Sequence, residues 1–166
     1  MQKQITLFSA AAITFLTGCV TFPPALPEGY TGPISVIQDT AKRQSSSLVH
    51  MFYVRTVDGR KIKNSGLATD IANQGRGFSI SPITMRHEIP AKSTQLQLSG
   101  GTAYAAPILM LTNPTCSISG IIEVNLEPNK IYRVNGSLTR ESCSVWLESV
   151  DTEGIVGQRI SGPGMK

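Results

Sequence analysis

From Gly32 to the C-terminus, short runs rich in Val, Ile, Leu and Tyr are broken by Gly, Pro, Asn and Asp roughly every eight to twelve residues, the rhythm of an all-β sandwich or barrel. The pattern predicts strands over residues 34–39, 48–57, 78–87, 94–99, 103–111, 117–126, 131–138, 143–150 and 155–160. Only residues 64–73 read as a helix, with Asn64 or Ser65 as cap, Leu67, Ala68, Ile71 and Ala72 on one side, and Gly75 as the stop. Alternation is cleanest in the last third. Ile118, Gly120, Ile122, Val124 and Leu126 share one face, and Tyr132, Val134, Gly136 and Leu138 repeat it on the next strand. Arg133, Asn135 and Ser137 are then left outside. If Cys143, Val145 and Leu147 face inward, Trp146 faces outward. Between residues 78 and 87 the phase flips at Pro82, which predicts a bulge or an edge position there.

The first nineteen residues obey a different pattern. Lys3 precedes a mostly apolar stretch over residues 5–16, and Leu16-Thr17-Gly18-Cys19 follows. As a helix that stretch reaches only about 18 Å, against about 30 Å of bilayer hydrocarbon, so it is a signal peptide rather than a span. The Leu-Thr-Gly-Cys ending resembles the lipobox of bacterial lipoprotein precursors. That resemblance implies that residues 1–18 are removed and that Cys19 carries the acyl chains, a stable membrane anchor. Val20, where an Asp would retain the protein at the inner membrane, implies the outer membrane, with the domain facing the periplasm. Residues 19–33, with four prolines after Phe22, read as a lipidated cysteine and an extended tether, and residues 34–166 as the sandwich domain.

With Cys19 assigned to lipid, Cys116 and Cys143 remain as an even pair in an oxidising compartment. A disulfide is the natural reading and two buried thiols the alternative. The two cysteines and His50 and His87 have none of the short paired spacings of zinc ligands, so neither a metal nor another cofactor is expected. The formal charge of +4 is spread thinly, which suits contact with anionic surfaces without calling for nucleic acid.

Residues 126–134, Leu-Glu-Pro-Asn-Lys-Ile-Tyr-Arg-Val, resemble the Leu-x-Pro-x-x-x-Tyr-x-Val stretch of fibronectin type III and related immunoglobulin-like domains. The resemblance implies a tyrosine corner, in which the hydroxyl of Tyr132 bonds back to upstream backbone. The expected fold is an antiparallel immunoglobulin-like β-sandwich of about eight or nine short strands with one short helix. The mature region also resembles the small all-β lipoproteins of Gram-negative envelopes.

No nucleophile elbow of the Gly-x-Ser-x-Gly kind occurs, so no catalytic residue is assigned. His50 shares a strand face with Leu48, Phe52 and Val54 and reads as a partly buried core residue, whereas His87, between Arg86 and Glu88, reads as a solvated edge residue. Trp146 with Arg133 and Asn135 is a candidate protein-binding face, the alternative being a Trp covered within the fold. Arg55, Arg60, Lys61 and Lys63 cluster around the Asp58-Gly59 turn, either as solubilising charge or as a contact for anionic polymer. Arg76, between two glycines, could top an anion-binding nest or simply follow a helix stop. The expected function is a non-enzymatic, lipid-anchored envelope protein that binds another envelope protein. The second reading is a structural lipoprotein contacting lipopolysaccharide or peptidoglycan through the basic hairpin.

Overall fold

The computed structural model describes residues 22–166, so Cys19 and the signal segment lie outside the described residues. The chain folds as an all-β sandwich. Its elements are β1 (Ile34–Gln38), β2 (Thr40–Arg43), β3 (Leu48–Val57), β4 (Arg60–Lys61), α1 (Ser65–Asn73), β5 (Arg86–Pro90), β6 (Ser93–Tyr104), α2 (Pro107–Thr112), β7 (Ser117–Asn125), β8 (Ile131–Leu138), β9 (Ser142–Ser149) and β10 (Ile155–Pro163). Sheet A runs β10-β9-β8-β1-β5, and sheet B runs β2-β3-β6-β7 with β4 against β3. All neighbours are antiparallel except β1 and β8, which run parallel through Val36↔Ile131 to Gln38↔Arg133.

The alternation of the last third becomes the core. Tyr132, Val134 and Leu138 of β8 and Val145 and Leu147 of β9 meet Phe52, Leu98 and Ile122 from sheet B, all buried. Gly136 is inward because nothing larger fits: a Cβ there would overlap the Phe52 ring and come within 2.5 Å of the Ser144 carbonyl oxygen. Cys116 at the mouth of β7 and Cys143 on β9 form a disulfide across the facing sheets, with Cα atoms 6.6 Å apart. The corner expected at Tyr132 is present, its hydroxyl accepting a 3.0 Å hydrogen bond from the Glu127 N–H. Tyr132→Phe is expected to lower unfolding free energy by about 1 kcal/mol, read by urea denaturation, since it orphans that amide while leaving the ring in place. An unchanged midpoint would mean that the corner is decorative.

Three stretches differ from the sequence reading, each for a physical reason. Residues 94–99 and 103–111 are not two strands. β6 runs unbroken through Gly100-Gly101, because the missing side chains let Phe52 lie 2.9 Å from where a Gly100 Cβ would sit and the Cys116 carbonyl 3.2 Å from the corresponding point of Gly101. The tail of the second stretch becomes α2, with Pro107 in its first turn. Residues 78–87 give only the short β5 at their end, and the chain before it packs on α1 instead of joining a sheet.

The helix itself is turned over. Its buried residues are Ser65, Thr69 and Asn73, while Ile71 on the apolar side is 60% exposed. The reason lies in residues 81–85. Asn73 exchanges a side-chain pair of hydrogen bonds with Ser81, donating from Nδ2 at 2.8 Å and accepting on Oδ1 at 2.8 Å. Thr69 Oγ1 accepts from Ile83 N–H at 2.9 Å and Ser65 Oγ from Met85 N–H at 2.8 Å. Four residues of helix advance about 6.0 Å and two of extended chain about 6.6 Å. A polar stripe at i, i+4, i+8 therefore stays in step with every second residue of the extended segment. The side chains of α1 do for residues 81–85 what a neighbouring strand would.

Ala25, inside the stretch read as a tether, is buried in the core, and its carbonyl accepts a 3.0 Å hydrogen bond from Arg60 Nη2. The chain is thus docked on the body from Ala25 rather than from Ile34.

Candidate functional site

The outer face of sheet A carries the candidate protein-binding cluster. The register sets Asn135 opposite Trp146 and Arg133 opposite Glu148, so the four side chains stand on one face. Glu148 gathers them: it accepts from Trp146 Nε1 at 3.2 Å and from Asn135 Nδ2 at 3.1 Å, and pairs with Arg133 Nη1 at 3.5 Å. The sequence reading omitted Glu148 and also a fifth member, Arg159 of β10. Between the pairs Leu147↔Val156 and Val145↔Ile160, residues 157–159 of β10 face Trp146 alone. This bulge, opened by Gly157 at φ 77°, brings the Arg159 guanidinium 4.3 Å from the Trp146 ring centroid. Trp146 is therefore half-buried, one face under Arg159 and its N–H satisfied, on a sheet surface away from the helices, which pack on sheet B.

A second polar cluster is internal. Asp39, between β1 and β2, accepts from Val54 N–H at 3.0 Å on Oδ1, and on Oδ2 from Ser65 Oγ at 2.6 Å and Ser65 N–H at 3.3 Å. His87 Nε2 bonds the same Oδ2 at 3.1 Å. This corrects the reading of His87 as solvated: it sits on an edge strand, but its side chain points inward and is 6% exposed. Ser, Asp and His meet here in the wrong order for nucleophilic catalysis. The carboxylate stands between the hydroxyl and the imidazole, and the hydroxyl donates to Asp39, so the His87 imidazole is not hydrogen-bonded to the Ser65 oxygen. His50 is buried as expected beside Phe52, and burial, with the Lys42 ammonium nearby, lowers its pKa.

The basic residues divide. Arg60 is held by Ala25, and Asp58 of the same turn pairs with Lys92 at 3.3 Å. Lys61 and Arg55 are exposed and line an open hollow with Phe22, Leu67 and Asp70, while Lys63 and Arg86 line a neighbouring one that also includes Phe22. Arg76 stands apart, past the end of α1. Gly75 and Gly77 take positive φ of 76° and 70°, but the Arg76 N–H donates to the Asn73 carbonyl at 3.1 Å, closing the helix end instead of facing an anion. Among the described residues, no three His, Cys, Asp or Glu side chains come together as a metal-ligating group. No protein-family model, curated protein or solved structure matches the chain.

Proposed function

We propose that the protein is a non-enzymatic lipoprotein of the outer membrane, anchored through Cys19 and facing the periplasm, whose sandwich binds another envelope protein through the outer face of sheet A. One observation carries the binding reading: Trp146 is pinned by Glu148 and Arg159 among the polar side chains of the outer face of sheet A, and its ring is half-buried rather than buried. An aromatic ring held rigid and ringed by Arg, Asn and Glu is the composition of an interface hot spot, because it offers apolar area with little further loss of freedom on binding. Its half-buried ring contributes only part of the roughly 2 to 3 kcal/mol that full burial would supply.

Trp146→Ala separates binding from packing. The expected result is a stability loss of about 1 kcal/mol together with the disappearance of an in-cell crosslink to the partner protein. A large stability loss with every crosslink retained would make the ring a core residue and overturn the binding face.

A further inference from the structure

The docked N-terminal segment decides which side of the sandwich meets the bilayer, on the reading that Cys19 is lipidated. Phe22 lies three residues from Cys19, which is at most about 10 Å of chain, so the surface around Phe22 stays close to the acyl chains. That surface is apolar and net basic: Arg55, Lys61 and Asp70 line one hollow with Phe22 and Leu67 of α1, and Lys63, Arg86 and Glu88 line the next with Phe22. Because the polar stripe of α1 is turned inward, the helix presents Leu67 and Ile71 outward, and Ile71 is 60% exposed. Apart from Ile121 and Ile155, every large apolar side chain left exposed among the described residues belongs to the N-terminal segment, to α1 and the chain after it, or to α2. Sheet A meets this surface at its β1–β5 end, where the outward Val36, Arg86 and Glu88 line the hollow of Phe22 and Lys63, whereas the β8–β10 end of its outer face carries Arg133, Asn135, Glu148 and Arg159.

We infer that the outward face of α1, with Phe22, Lys61 and Lys63 beside it, rests on the glycerophospholipid surface of the leaflet that holds the Cys19 acyl chains. Lys61 and Lys63 meet headgroup phosphates, and Leu67 and Ile71 enter the boundary between headgroups and acyl chains, as an amphipathic helix lying in the interface does. A short helix of this kind would not bind lipid alone. Held at the surface by the anchor, it has only to orient the domain. The β8–β10 end of sheet A, with Trp146 on β9 three strands from β5, then stands away from the membrane, where its surface is free for a protein.

The position of the lone tryptophan makes this measurable. Lipidated full-length protein is purified from membranes and reconstituted in vesicles of phosphatidylethanolamine and phosphatidylglycerol brominated on their acyl chains. Wild-type fluorescence, which comes from Trp146, is expected to be unquenched. A protein carrying Ile71→Trp and Trp146→Phe is expected to lose roughly half its fluorescence, as a side chain within reach of the acyl boundary should. Lys61→Glu with Lys63→Glu added is expected to restore most of it. Intact mass on the same preparation reads the anchor. An unacylated Cys19 overturns the lipoprotein reading and this orientation with it. An acylated protein with position 71 unquenched, or with Trp146 quenched, overturns the orientation alone. Position 71 unquenched in protein that reconstitutes as a dimer assigns the face to a second copy and also overturns it.

Discussion

Asp39→Ala is expected to remove about 3 to 5 kcal/mol of stability, the largest effect of any single substitution described here. The β2–β3 ladder ends at Thr40↔Phe52, because the chain passes at Asp39 from sheet A into sheet B. The next amide on β3, Val54 N–H, then has no backbone acceptor on that side, and Asp39 Oδ1 takes the place of one at 3.0 Å. The other oxygen holds the first turn of α1 through Ser65 and holds β5 through His87. Its side chain is fully buried, so alanine leaves four donor contacts facing a cavity rather than water. Against a typical total of about 5 to 15 kcal/mol, such a loss leaves a marginal domain. Ser65→Ala, which keeps the carboxylate, is expected to lose about 1 to 2 kcal/mol. Urea denaturation that finds Asp39→Ala within about 1 kcal/mol of wild type would show that the junction is not held by this side chain.

Removing the Cys116–Cys143 bond comes next. A cross-link over a separation of 27 residues restricts the unfolded chain by about 3.5 kcal/mol in the loop-entropy treatment. The bond also clamps the open end of the sandwich, where Thr115 and Lys166 exchange backbone hydrogen bonds of 2.8 and 3.0 Å. The double variant Cys116→Ala, Cys143→Ala is expected to melt roughly 10 °C lower, since about 1 kcal/mol corresponds to 2 to 4 °C in a domain of this size. A melting temperature unmoved by the double substitution would contradict the bond or its contribution.

Where alternation is strict, the sequence carries the fold. The predicted strands at 48–57 and 131–138 match β3 and β8, and the inward parity of Tyr132, Val134 and Leu138 is the parity observed. What misled was chemistry that looks the same in two settings. Gly100-Gly101 reads as a break but marks close contact with Phe52 and the Cys116 carbonyl, and only a neighbouring strand can say which. Pro107 did carry a usable signal, since a proline inside a strand-like run favours the first turn of a helix. The inverted α1 was hidden because Leu67 and Ile71 make an ordinary amphipathic pattern, and what Ser65, Thr69 and Asn73 meet across residues 81–85 is backbone, which has no sequence. The candidate cluster on sheet A was half legible. Parity placed Arg133, Asn135 and Trp146 together, but Glu148 and Arg159 came from pairing register and a bulge. The junction at Asp39 had no signal at all, because a carboxylate at a strand end is usually solvated.

The lipid proposed at Cys19 orients both proposed surfaces, and metabolic labelling with a tagged fatty acid tests it most directly. Wild-type protein is expected to take up the label and Cys19→Ala to take up none, remaining unprocessed or soluble. Label on the Cys19→Ala protein, or none on the wild type, would contradict the anchor and with it the assignment of one face to lipid and the other to a protein partner.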